Sequence, residues 1–350
     1  LISPISLFFI TFAQPKTFNG NILIIMLLDI IFLILGLVLI LVGANALTDG
    51  ASAIARRWGV SDLVIGLTVV AFGTSAPELV ISMVSAFHGS AELAIGNVVG
   101  SNIFNILVII GVTAMVVPIK IQRSIMTNEI PLVILSSLVL LVIGNTPLLD
   151  ADAAPVVTRA DGILLLLFFT IFMRYTFSQA TSAGATGNEA VDNPTTTAMP
   201  VWKSTLWVIG GLAGLIYGGD RFVAGASGIA AGLGVSDAVI GLTIVAAGTS
   251  LPELATSVTA ALKGKTGIAL GNVIGSNIFN IFLVLGCTAT IRPLPFGSIG
   301  NADLLTLTGA SLLFWVFGWF FRKRTITRAE GAVLTLCYVG YVAWLLAHTA

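Results

Sequence analysis

GLTVVAFGTSAPELVIS (Gly66–Ser82) returns as GLTIVAAGTSLPELATS (Gly241–Ser257), and GNVVGSNIFNI (Gly96–Ile106) returns as GNVIGSNIFNI (Gly271–Ile281). The offset is 175 residues throughout, with no gap. Within the second stretch only Val99/Ile274 differs. Each copy places one glutamate, Glu78 or Glu253, inside a long apolar segment immediately after a proline. The chain is therefore two halves built on one pattern, and everything else is read outward from it.

Of 350 residues, 57% are hydrophobic and 9% charged, with a mean hydropathy of +1.04. A soluble domain carries about 25% charged residues. No solvated surface could be built around this composition, so the solvent is lipid. A net charge of zero argues against nucleic acid as a partner. Cys287 and Cys337 both lie in apolar spans and read as small buried apolar residues, not as a disulfide framework or a metal cluster. Thirty-seven glycines fit helices that pack backbone to backbone in a membrane.

Ten apolar segments of the length a bilayer core requires are expected at about 28–48, 62–87, 92–117, 128–146, 161–177, 204–230, 236–261, 267–291, 301–321 and 328–347. Residues 1–27 are expected to be an N-terminal extension; 1–26 read as a translated upstream extension or a dispensable tail, because Ile5–Ala13 is too short to span and no basic residue precedes it. The polar, small-residue segment 178–200 is the one clear linker. It separates a first five-helix repeat (28–177) from a second (201–350).

Five spans per half is odd, so the second half must enter the membrane in the opposite orientation. The loops support this, because cytoplasmic loops are enriched in Lys and Arg. Arg56-Arg57 becomes Ala231-Gly232, the loop His88–Glu92 becomes Lys263–Gly267, and Lys120 and Arg123 become Pro295 and Ser298. Similar cores with inverted flanks mark an inverted-topology repeat. The basic side, which also holds Arg174, Lys203, Arg322-Lys323-Arg324 and Arg328, is expected to be cytoplasmic. Both termini are then outside and linker 178–200 inside, in a multi-pass plasma-membrane protein such as a prokaryotic inner-membrane protein. The fold class is all-α integral membrane, with ten transmembrane helices in two inverted halves.

A proline within a helix lacks an N–H and clashes with the carbonyl four residues back. For Pro77 and Pro252 that carbonyl belongs to Gly73 and Gly248, so both spans should break there. Freed carbonyls at membrane depth are tolerated only where they face protein or a wet cavity. A lone kink would read as packing; a duplicated kink beside a carboxylate reads as a site. A carboxylate at mid-bilayer costs about 2.5–3.5 kcal/mol. No evident buried Lys or Arg matches Glu78 or Glu253, since Arg56-Arg57, Lys263 and Lys265 lie in loops and Arg221 lies towards the outer end of its span beside Asp220, which makes a bound cation the natural counter-charge. Thr74 and Thr249 precede the glutamates by four residues, which sets hydroxyl and carboxylate on one helix face. In the next span Asn97, Ser101 and Asn105 form an i, i+4, i+8 stripe, repeated by Asn272, Ser276 and Asn280. Interhelical bonding near the Gly96/Gly100 and Gly271/Gly275 pairs accounts for Asn97 and Asn272; the other four are assigned to the site. Asp29 and Asp303 lie at span ends and are expected to tolerate Asn. The donors are all oxygen, with no imidazole or thiolate, which suits Ca²⁺ or Na⁺ and disfavours zinc or copper. Two negative charges neutralise one Ca²⁺ or two Na⁺.

GTSAPE and GTSLPE followed by GNVVGSNIFNI and GNVIGSNIFNI resemble the two alpha-repeats of the sodium/calcium exchanger family, within the calcium/cation antiporter superfamily. The resemblance runs from about residue 28 to the end. It implies ions held between spans 2, 3, 7 and 8, and alternating access in which spans 1 and 6 slide across that core. Carried over by motif, the ligands are Glu78, Glu253, Thr74, Thr249, Ser75, Ser250, Ser101, Ser276, Asn105 and Asn280, with the backbone carbonyls of Ala71 and Ala246. Linker 178–200 is too short for the large regulatory domain of animal members. Many relatives carry Asp where this chain has Asn280, which bears on potassium dependence.

The function implied is secondary active exchange of Ca²⁺ for Na⁺, with those ions as the transported substrates, no organic cofactor and no obligatory protein partner. An H⁺/Ca²⁺ exchanger shares the fold and the paired glutamates, and a cation channel is the conducting alternative. Gly225-Ala-Ser-Gly228 matches the GxSG of an intramembrane serine protease, but such an enzyme needs a histidine base in a neighbouring span. The two histidines, His88 and His348, lie in a loop and near the C-terminus, so the chain is not read as an enzyme.

Overall fold

The computed structural model describes residues 22–87, 91–149, 154–186, 199–232, 246–320 and 324–349. Helix α1 (Ile22–Trp58) is largely apolar up to Leu47 and free of proline for its whole length. It ends at Gly59, whose φ of 64° is the left-handed conformation that glycine adopts without a Cβ penalty. Ser61 then opens the next helix, its side chain accepting from the Val64 amide at 3.3 Å.

The expected break is present in both halves. Helices α2 (Asp62–Thr74) and α3 (Ala76–Phe87) meet at a 43° bend on Ser75. Their counterparts α9 (Ala246–Gly248) and α10 (Leu251–Leu262) meet at Thr249-Ser250. Ser75 (φ −84°, ψ 2°) and Ser250 (φ −93°, ψ 8°) share one non-helical conformation, the sparsely populated bridge region frequent in active sites. The beginning of the second motif, Gly241–Val245, and of the expected span 236–261 lies outside the described residues.

The third spans are α4 (Ala91–Val116) and α11 (Thr266–Ile291). Each widens into a π-helical turn, at Asn105–Ile109 and at Phe279–Leu285. Such turns inside α-helices are frequent at functional sites, and these two begin at or beside the last asparagine of the polar stripe. The remaining long helices are α5 (Ile125–Gly144), α7 (Arg159–Thr186), α8 (Val201–Gly232), α12 (Asn301–Phe320) and α13 (Arg328–Thr349), with a single turn α6 (Thr146–Leu149) after α5. Helix α7 runs past its expected end at 177 into the sequence read as linker, because no proline interrupts the run of Ala, Ser and Thr before Pro194. Seven described helices are long and apolar enough to cross a bilayer, and α2 with α3 adds an eighth as one broken span. Helices α8 and α10 occupy the two remaining expected places.

Helices α1 and α8 lie along one another through a glycine seam. Gly36, Gly43 and Gly50 recur 175 positions later as Gly211, Gly218 and Gly225. A Cβ on Gly36 would lie 2.4 Å from the Phe222 nitrogen, and one on Gly225 2.4 Å from the Asp29 carbonyl oxygen. Only glycine permits backbones this close.

The two halves are interlocked. Strand β1 (Ile119–Lys120), which follows α4, pairs with β4 (Thr325–Ile326), which precedes α13. Strand β2 (Val156–Val157), which precedes α7, pairs with β3 (Leu294–Pro295), which follows α11. Each half's last helix thereby crosses over, α7 packing on the end of α11 and α13 on the end of α4. Helices α4 and α11 form the buried centre.

The charged loops divide between two ends. At one, Lys263 reaches Asp49 (2.7 Å) and the Asn45 carbonyl (3.2 Å), Lys265 lies 3.7 Å from Asp62, and Ile121 N–H donates to the Arg324 carbonyl. At the other, Arg292 donates to the Ala86 carbonyl at 3.0 Å, and Glu92 accepts from the Ser298 amide at 3.0 Å.

Candidate functional site

The break in each half leaves a glutamate in the first turn of the second segment, Glu78 on α3 and Glu253 on α10. Both are buried, with 0% and 1% of their surface exposed. The salt bridges among the described residues are Asp220–Arg221, Asp49–Lys263 and Asp62–Lys265, so neither glutamate is matched by a basic side chain. Burying an unpaired carboxylate is costly, and here it is done twice.

The repeat interface brings the two sets of residues together. Helix α3 packs on the Phe279–Leu285 turn of the other half, and α10 packs on the Asn105–Ile109 turn. Ser75, three residues before Glu78, donates to Glu253 Oε1 at 3.5 Å. Thr74 donates to Asn272 Oδ1 at 3.0 Å, also across the boundary.

Around this junction buried polar atoms go without protein partners. They include both Glu78 carboxylate oxygens, Glu253 Oε2, both amide atoms of Asn105, Asn280 Oδ1, Ser250 Oγ and Ser276 Oγ. Buried polar groups in proteins are overwhelmingly hydrogen-bonded, and each exception needs an explanation. Seven of these eight atoms are oxygens, and all belong to residues singled out from the sequence. Among the described residues no group of three or more His, Cys, Asp or Glu comes together, so the formal charge here is that of two glutamates. Such a donor set fits a hard cation.

The other assigned residues sit as follows. Ser101 is buried on α4, and Thr249 is half-buried at the second break. The Ala71 carbonyl accepts from the Ser75 amide (2.9 Å) and the Thr74 hydroxyl (3.4 Å). Ala246 opens α9. Asn97 and Asn272 make the structural bonds expected of them. Asn97 donates to the Glu78 carbonyl (3.3 Å) and Ser82 Oγ (3.1 Å), and Asn272 donates to the Glu253 carbonyl (3.2 Å) and Ser257 Oγ (3.0 Å).

Two further acidic residues have partners that their sequence positions did not show. Asp303 lies in the first turn of α12, at the expected span end. It is 8% exposed, accepts Tyr341 O–H at 2.6 Å on one oxygen and the Gly300 amide at 2.9 Å on the other, and so caps α12. Glu129, a third buried glutamate, accepts from Tyr175 and Gln179, both at 3.0 Å, and ties α5 to α7 away from the breaks. Its position one residue inside the expected span 128–146 was the signal for it. Sequence reasoning also passed over Asn102 and Asn277, which stand in both motifs and are buried where the halves meet.

The sequence pattern described as sodium/calcium exchanger protein matches residues 28–178 and 203–347. The chain belongs to the sodium/calcium exchanger family. It is thus a multi-pass membrane transporter and a cation/Ca²⁺ exchanger by family, not an enzyme. This exchanger is 41% identical to the putative antiporter CaxA of Alkalimonas amylolytica, over 90% of this chain and 98% of that one. It is 34% identical to the sodium/calcium exchanger MaX1 of Methanosarcina acetivorans, over 90% and 97% respectively. In structure it resembles the sodium-calcium exchanger NCX_Mj soaked with 2.5 mM Na⁺ and 0.1 mM Ca²⁺, with a TM-score of 0.75, 35% identity, and coverage of 90% of this chain and 98% of that one.

Proposed function

We propose that this exchanger moves Ca²⁺ against Na⁺ by alternating access. Its ions are held by Glu78, Glu253, Thr74, Thr249, Ser75, Ser250, Ser101, Ser276, Asn105 and Asn280, and by the carbonyls of Ala71 and Ala246. The observation that carries the reading is the pair of buried, unmatched glutamates surrounded by unpartnered oxygens. Two carboxylates balance one Ca²⁺ or two Na⁺, and exchange requires that either cargo, but not both, satisfy the same charge. The family relationship and the likeness to NCX_Mj support the choice of ions. Helices α1 and α8, joined by their glycine seam and lying over α10 and α2, are the elements suited to move across the buried centre.

The end carrying Arg56, Arg57, Lys263, Lys265, Lys120 and Arg328 faces the cytoplasm in this reading. The test is radiolabelled Ca²⁺ uptake by proteoliposomes under an imposed Na⁺ gradient, and then under a proton gradient. Uptake is expected with the first. Uptake with the proton gradient alone would replace Na⁺ by H⁺ as the driving ion, and flux without any counter-ion would make the protein a channel.

A further inference from the structure

We propose that Asn102 is a positioning residue of the cation site, which holds the Asn280 amide with its carbonyl oxygen, not its NH₂ group, turned to the cation. The proposal rests on the assignment of Asn280 to that site.

A chain of amides fixes the orientation. Asn102 is fully buried, and its Nδ2 donates to the backbone carbonyl of Asn277 at 3.2 Å. A backbone carbonyl only accepts, so Asn102 must present its NH₂ there and its Oδ1 on the opposite side. That oxygen also only accepts. Asn280 answers it with Nδ2, at 3.1 Å. The remaining atom, Asn280 Oδ1, is buried and has no protein partner. Turning the Asn280 amide over would set two acceptor oxygens against each other and offer hydrogens to a cation. The direction of the whole relay thus descends from one main-chain group that cannot change its role.

The relay exists on one side only. Asn277, the repeat counterpart of Asn102, donates its Nδ2 to Val273 on its own helix at 2.7 Å and leaves its Oδ1 unpartnered. Asn105, the counterpart of Asn280, has neither amide atom bonded. The two halves therefore present unequal amides to the cation: Asn280 is held, and Asn105 is free to turn.

The test is a double-mutant cycle on the full-length protein in detergent, with Ca²⁺ affinity read from the Ca²⁺-dependent rise in melting temperature. Asn102→Ala should weaken Ca²⁺ binding by about tenfold, as should Asn280→Ala, and the double variant should bind no more weakly than Asn280→Ala alone, because residues in one hydrogen-bond network do not add. Asn102→Ser, too short to span both partners, repeats the cycle should the alanine variant fail to fold. Losses that multiply in the double variant, or an Asn102 variant with unchanged Ca²⁺ affinity, would overturn the relay. No Ca²⁺ response in the unmodified protein would overturn the ion assignment itself, and the relay with it.

Discussion

Asn272 holds Glu253 by its backbone carbonyl, at 3.2 Å, and not by its carboxylate; Asn97 does the same to Glu78 at 3.3 Å. The amide spends its donors on the helix that carries the acid, and in the proposed site the carboxylate is left to the cation. Asn97→Ala and Asn272→Ala should each lower the melting temperature of the Ca²⁺-free protein, since each unpaired buried group costs about 1–3 kcal/mol. The Asn272 variant should lose more, because Asn272 also accepts the Thr74 hydroxyl. An unchanged melting temperature together with lost Ca²⁺ binding would move these amides onto the cation.

The glutamates behave in the opposite sense. Glu78→Gln or Glu253→Gln removes an unmatched buried charge, so the Ca²⁺-free protein should melt no lower than the unmodified one. Ca²⁺ exchange in proteoliposomes should be lost, and with it the Ca²⁺-dependent rise in melting temperature. Near-normal exchange in either variant would remove that residue from the site.

Much of this was legible in the sequence because its signals were duplicated. The Pro77/Pro252 breaks, the glutamates after them and the polar stripes each appeared twice, and repetition separates a site from an accident of packing. The structure then gave what single positions do not announce. Nothing in the spacing of Asn102 says that its partner is a main-chain carbonyl 175 positions away. Asp303 stands at its expected span end, but its bond to Tyr341 was hidden because that partner lies 38 residues along the chain, on another helix. The seam between α1 and α8 was missed for a different reason: its glycines stand seven apart, and composition alone reported only their number.

That seam makes neighbouring residues unequal. A Cβ on Gly211 would lie 2.6 Å from the Leu47 nitrogen and 2.8 Å from the Gly43 carbonyl oxygen, whereas one on Gly210 meets nothing within 4 Å. Gly211→Ala should cost about 1–3 kcal/mol by overpacking, seen as a lower melting temperature and slower exchange. Gly210→Ala should be neutral or mildly stabilising, because alanine is the better helix former. Equal effects at the two positions would mean that α1 and α8 do not stay in contact.

The proposed orientation rests on the loop charges. A single cysteine introduced as Gly187→Cys, in a background lacking Cys287 and Cys337, should resist an impermeant maleimide applied to intact cells and react once the membrane is opened. Ready labelling from outside would invert the assignment and put the basic loops outside.

In the proposed site, Asn280 bears on how many positive charges the pocket accepts. With aspartate at this position a pocket would hold three acids; here it holds two, and Asn280 adds a carbonyl oxygen without charge. Asp220, a further acid within a span, is engaged by Arg221, whose Nε lies 2.9 Å from Asp220 Oδ2 and whose guanidinium also covers the Phe32 and Tyr217 rings. A potassium ion bound together with Ca²⁺ would therefore bring charge that no carboxylate offsets. Ca²⁺ exchange should proceed undiminished when choline replaces K⁺ on both sides of a liposome at clamped voltage. Asn280→Asp should keep a cation site but alter its ion preference or the charge moved per cycle. It should also disturb Asn102, since an aspartate has no N–H to give to Asn102 Oδ1 and would oppose it with a second acceptor. Strict dependence of the unmodified protein on K⁺ would break the two-carboxylate count, and Asp220 would then have to leave Arg221 and enter the pocket.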